Sequence, residues 1–163
     1  MSDDVTLSAD ARARIDREIA KYPPDQKQSA VMSSLAIVQA EKGHLTNELM
    51  DAVAAYLGMP SIAVYEVATF YTMYDLEPLG RHKLTVCTNL PCALSGANEA
   101  ADHLKKKLCI GWNGTTTDGN FTLKEGECFG ACGDAPVILH NNRSMLTGMV
   151  PSKIDELLAE LAK

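Results

Sequence analysis

The chain is expected to join two kinds of architecture: an N-terminal helical bundle over residues 1–78, then an α+β / α/β domain over residues 79–163 with element order β-α-β-β-β-α. Three observations predict this. Apolar residues recur at helical spacing through the first seventy or so positions. The pattern then breaks at Leu76-Glu77-Pro78-Leu79-Gly80 and turns into short alternating runs. Two cysteine pairs fall just after two of those runs, where loops of an α/β sheet gather at one edge.

The first helix starts after Ser8, a residue suited to an N-cap, with Asp10 in its first turn and Ile15 and Ile19 at i, i+4. Tyr22-Pro23-Pro24-Asp25 interrupts it. Val31, Leu35 and Val38 give the face of a second helix, which Gly43 ends. Thr46 caps a third, carrying Leu49, Val53 and Leu57 and closed by Gly58. Pro60-Ser61 opens a fourth, running through Val64, Ala68 and Tyr71. Four short helices with short breaks make a small bundle.

The second half opens with a strand over His82–Cys87 that delivers Cys87 at its end. Ser95 to Leu108 reads as one helix with Ala97, Ala100, Ala101, Leu104 and Leu108 available for burial. Gly111 to Asn120 is a loop, Phe121–Glu125 a strand and Pro136–His140 another. Asn141-Asn142 suits a hairpin turn into a last strand at Ser144–Leu146. Ile154, Leu157, Leu158 and Leu161 mark a closing amphipathic helix. A β-α-β crossover followed by a hairpin and a helix is compatible with a thioredoxin-like sheet.

Composition narrows the function. The 163 residues carry a formal net charge of −6, and no basic stripe is present to neutralise nucleic-acid phosphates. The one basic run, Lys105-Lys106-Lys107, suits the end of a helix. No stretch approaches the about 20 apolar residues of a membrane span. The start, Met1-Ser2-Asp3-Asp4, is acidic and lacks the features of an export signal. Five cysteines in such a chain suit a reducing compartment, where thiols bind metal or stay free. The chain is expected in the cytoplasm or on the inner side of a membrane-bound assembly.

Four of those cysteines carry the chemistry. Cys87 and Cys92 enclose four residues, and Cys128 and Cys132 enclose three. Short-spaced thiolates on loops suit an iron–sulfur core, because the backbone can wrap it and donate N–H bonds to its sulfurs. Zinc sites more often use C-x-x-C knuckles, which neither pair has. On spacing alone zinc stays open as an alternative.

Cys-x4-Cys followed by Cys-Phe-Gly-Ala-Cys-Gly-Asp-Ala-Pro-Val (Cys128 to Val137), behind a helical segment containing Glu66-Val67-Ala68-Thr69-Phe70-Tyr71, resembles one family. It looks like the small 2Fe–2S subunit of the NADH-oxidising arm of respiratory complex I, the E-subunit family of NADH:quinone oxidoreductase. The resemblance implies a thioredoxin-like ferredoxin domain behind a helical one, with Cys87, Cys92, Cys128 and Cys132 as the four cluster ligands. It implies a flavoprotein partner holding FMN and the NADH site, no direct membrane insertion, and an electron-transfer rather than catalytic role. Homologous subunits serve soluble NAD-reducing hydrogenases and NAD-linked formate dehydrogenases, and the cysteine motif does not separate these hosts. A free-standing ferredoxin shuttle is the alternative of a different class.

A thiolate-ligated cluster is already anionic, so reducing it inside an acidic protein is unfavourable and a low potential is expected, on the scale of about −400 mV for plant-type clusters. Gly130, Ala131 and Gly133 offer backbone N–H groups to sulfur, and Asp134 would lower the potential further. Cys109 is expected to be a buried core thiol, and Phe70, Tyr71 and Tyr74 to pack in the core rather than form a docking surface. Trp112 is assigned a local packing role. His44, His82, His103 and His140 show no spacing for a metal or catalytic dyad. No G-x-G-x-x-G phosphate loop is present.

Overall fold

A computed structural model describes residues 7–162; the acidic start Met1–Asp4 lies outside them. The chain divides into two compact units, Met1–Pro78 and Leu79–Lys163.

Among its described residues the first unit holds four α-helices: α1 (Ala9–Ile19), α2 (Val31–Lys42), α3 (Asn47–Leu57) and α4 (Ser61–Phe70). Side-chain caps set two of the starts. Ser8 Oγ accepts from the Ala11 N–H at 3.0 Å, and Thr46 Oγ1 accepts from the Leu49 N–H at 3.3 Å. Gly43 and Gly58 end α2 and α3 at positive φ. A turn of 3-10 helix at Lys27–Ala30, not legible in the sequence, leads into α2. The predicted stripes form the core: Ile15, Leu35, Val38, Leu49, Val53, Leu57, Val64 and Ala68 are all buried together.

The aromatic group at the end of α4 departs from the core reading. Tyr74 is buried and donates its hydroxyl to the Met32 carbonyl at 2.8 Å; burial pushes that phenol up to about 12. Phe70, in contrast, is 76% exposed, and Tyr71 lies beyond the helix with extended backbone. Helical spacing carries Phe70 to the outer face once Val64 and Ala68 point inward.

The second unit is a four-stranded sheet in the order β2-β1-β3-β4: β1 (His82–Cys87), β2 (Phe121–Gly126), β3 (Ile138–His140) and β4 (Ser144–Leu146). β1 runs parallel to β2, with Cys87 opposite Gly126, and antiparallel to β3. Asn141 and Asn142 both adopt positive φ in the hairpin between β3 and β4. Leu84, Val86, Leu123 and Ile138 pack with Ala100, Ala101 and Leu104 of α6 (Ala97–Leu108) and with Ile154 of α7 (Pro151–Leu161).

The helix expected over Ser95–Leu108 is two helices. A short α5 (Leu90–Leu94) precedes α6, and Gly96 separates them at φ 95°. Pro91 in the first turn is preorganised for helix, and Ser95 Oγ closes the far end on the Pro91 carbonyl at 2.9 Å. No helix among the described residues is long and apolar enough to cross a membrane.

Candidate metal centre

The two cysteine pairs reach one place by different routes. Cys87 is the last residue of β1, and Cys92 lies in the middle of α5; both are buried. Cys128 follows β2 in irregular chain, and Cys132 opens a 3-10 turn, Cys132–Asp134; both are exposed. The expectation that every cysteine sits in a loop is therefore corrected for the first pair, because Pro91 winds the residues between Cys87 and Cys92 into helix.

Backbone hydrogen bonds hold these segments in register. The Cys87 N–H donates to the Val137 carbonyl at 3.1 Å, and the Thr88 N–H to the Gly126 carbonyl at 3.3 Å. The Gly148 and Met149 N–H groups donate to the carbonyls of Asp134 and Pro136 at 2.7 and 2.9 Å. The turn bearing Cys132 is thus tied to the entry of α7. A separate small core of Cys87, Cys92, Ala97 and Val137, with Phe129, Ala131 and Ala135 against it, surrounds the site.

Two residues that sequence reasoning missed complete the frame. A Cβ on Gly126 would lie 2.6 Å from Phe129 Cζ and 2.6 Å from Thr85 Cγ2. Only glycine lets the ring of Phe129, next to Cys128, fold down on the strand that faces Cys87. A glycine inside a strand is the signal that could have pointed there.

The four thiols interact with one another. Burial, and then the Cys87 thiol bonded to it, push the Cys92 thiol up to about 12. Cys132 is raised by the removal of its sulfur from water and by the Cys128 thiol, and it also contacts Cys92. Thiols raised in this way, as Cys92 and Cys132 are, need a cationic centre beside them to become thiolates. Gly130, at φ 75°, turns its N–H onto Cys128 Sγ at 3.3 Å, a donor of the kind that stabilises a ligating sulfur. Cys92 meets Cys87 of its own pair and Cys132 of the other, so the two pairs adjoin; no group of three or more His, Cys, Asp or Glu among the described residues is already set to hold a metal ion. Four thiols on adjoining segments are the kind of donor set that an iron–sulfur core uses.

The other singled-out residues lie elsewhere. Cys109 is exposed, not buried; it caps α6 in the left-handed region and directs its thiol to the Lys106 carbonyl at 3.6 Å. Trp112 packs against the sheet core under the Lys105 ammonium, 4.2 Å from the ring centre. His82 Nδ1 and His140 Nε2 are 3.1 Å apart, a pairing that their separation in sequence hid. His82 begins β1 and Cys87 ends it, so this pair stands at the far end of the strand, ~16 Å away at the usual rise. His103 meets Asp155 of α7 at 2.8 Å.

Two cysteine pairs on adjoining segments at the end of β1 and β2, one sulfur bonded by a backbone N–H, suit an iron–sulfur protein. Residues 15–162 match the thioredoxin-like 2Fe-2S ferredoxin family, and the chain belongs to it. Among its relatives, the NADH-quinone oxidoreductase E-subunit 2 of Rhizobium meliloti is 44% identical over 127 residues, covering 78% of this chain and 74% of that one. Subunit 2 of the Thermus thermophilus NADH-quinone oxidoreductase is 37% identical over 147 residues, 90% of this chain and 81% of that one. These relatives are subunits of an oxidoreductase. An NAD+-reducing NiFe hydrogenase shares the fold, with a TM-score of 0.66 at 20% identity over 78% of this chain. This chain spans 22% of that hydrogenase chain.

Proposed function

We propose that the chain is the electron-transfer subunit of an NADH:quinone oxidoreductase. In this reading the second unit, 79–163, is the ferredoxin domain, and Cys87, Cys92, Cys128 and Cys132 are the ligands of one 2Fe–2S cluster. The observation that carries it is the convergence of two cysteine pairs, far apart in sequence, on one backbone-tied edge of the sheet. When bound, such a cluster takes up and gives back one electron at a time. The chain's own residues do the rest. β1 and α5 bury one pair of sulfurs, the Gly130 N–H lowers the charge on another, and Phe129 packs against the core that holds the buried pair.

The partner in this reading is a flavoprotein that carries FMN and the NADH site, so the chain itself is not catalytic. It sits on the cytoplasmic side of the membrane, held there through the complex, and touches neither lipid nor nucleic acid. The naming of its relatives supports this host. The corresponding component of a NAD-reducing hydrogenase or formate dehydrogenase would use the same residues.

Low-temperature EPR of anaerobically purified protein, before and after dithionite, is the test. The oxidised sample is expected to be silent and the reduced one to give a rhombic spin-half signal. Silence in both states, with zinc as the bound metal, would overturn the reading.

A further inference from the structure

We infer that the outer face of α5 and the carboxylates beside it form the surface on which the redox partner docks, and that the partner's matching surface has an apolar centre ringed by Lys and Arg. This inference rests on the functional reading above and gives the partner's surface its chemistry.

α5 carries Cys92 on its inner side and two leucines on its outer side. Leu90 and Leu94 are 70% and 81% exposed, and Leu94 is the most exposed of the large apolar residues described. They are four apart, so they stack on one face of the helix, while Cys92 between them is buried against Cys87. Neither leucine is needed for the core, and both stand at the place where an electron has to enter or leave. Transfer weakens steeply with distance, so a donor must approach this face closely.

The charge around the leucines has one sign. Glu125 accepts from Thr88 Oγ1 at 2.8 Å, and Glu127 accepts from Asn89 Nδ2 at 2.9 Å. Both carboxylates are therefore held beside the segment that leads into Leu90. Asp134 lies on the turn that Cys132 opens, and Glu99 in the first turn of α6. Residues 86–104 and 125–142, which build the face, contain no Lys or Arg. An apolar pair within an acidic rim is complementary to an apolar patch within a basic one: the leucines supply buried area, and the rim steers approach and orientation.

The test uses the complex as its host makes it, drawn out through an affinity tag on this chain, with the FMN recovered per copy of the chain as the readout. Leu90→Ser/Leu94→Ser and Glu125→Lys/Glu127→Lys are each expected to lower FMN recovery at least about tenfold while keeping the reduced-state EPR signal. Met145→Ser/Val150→Ser, which removes exposed apolar side chains elsewhere in the unit, should leave recovery unchanged. Added salt should weaken the wild-type complex and have less effect on Glu125→Lys/Glu127→Lys. Full FMN recovery in both double variants, with the signal intact, would overturn the docking face alone. Should the leucine variant lose its cluster, the glutamate variant decides. A wild-type chain without the EPR signal would overturn the cluster reading itself, and one with the signal but without FMN would overturn the flavoprotein partner.

Discussion

The two cysteine pairs, which in the proposed function do the same chemical work, come from opposite kinds of structure. Cys87 and Cys92 are buried at the end of a central strand and inside a helix, where the sheet core already holds the backbone. Cys128 and Cys132 are exposed on an irregular segment that is positioned by hydrogen bonds and by one aromatic ring. The site therefore has an anchored half and a framed half. Solvent exposure of the sulfurs belongs to the framed half, whereas the outward leucines Leu90 and Leu94 belong to the anchored one.

Replacing the proposed ligands one at a time tests that division most sharply. Cys87→Ser and Cys92→Ser are expected to abolish the reduced-state EPR signal, because a buried ligand cannot move to compensate. Cys128→Ser and Cys132→Ser should keep a weaker, shifted signal. Equal loss from all four variants would erase the distinction.

Gly126→Ala probes the frame without touching a sulfur. Its Cβ meets both Phe129 and Thr85 at 2.6 Å, and overpacking of this kind costs ~1–3 kcal/mol. A lower melting temperature and a changed EPR line shape are expected together. A fall in melting temperature with an unaltered line shape would mean that Phe129 does not position the second pair.

Ser8→Ala should cost about 0.5–2 kcal/mol through the lost α1 cap and leave the EPR signal unchanged, since Ser8 lies in the helical unit. An altered signal would show that the two units are coupled.

The smallest effect is a pH dependence. Burial, and then the neighbouring His82, hold His140 below its ordinary value of 6.5. A depressed histidine is kept neutral in the fold, so its contribution is present above that ordinary value and is lost as the pH falls through the lower folded one. Melting temperature should therefore rise with pH in the window just below the ordinary histidine value. His140→Gln should rise less, and an identical slope would remove His140 from the account.

Much of this was legible in the chain itself. Ser8, Thr46, Gly43 and Gly58 act where capping chemistry puts them, and Asn141-Asn142 turns the hairpin, because each works through its own neighbours. The cysteine motif marked the site for the same reason. Local pattern failed where distant residues decide. Phe70 and Tyr71 read as core, yet Phe70 falls on the outer face of α4 and Tyr71 lies beyond its end. Cys109 reads as core but ends a helix in solvent.

Periodicity, caps and motif spacing are short-range properties, and they were enough to specify the helical half, the strand pattern and the four thiols from the chain alone. Tertiary packing settled the rest: which pair is buried, that Gly126 makes room for Phe129, that His82 meets His140, and that Leu90 and Leu94 face outward beside held carboxylates. Each of these depends on what another part of the chain places alongside, and that is set by packing across the sheet.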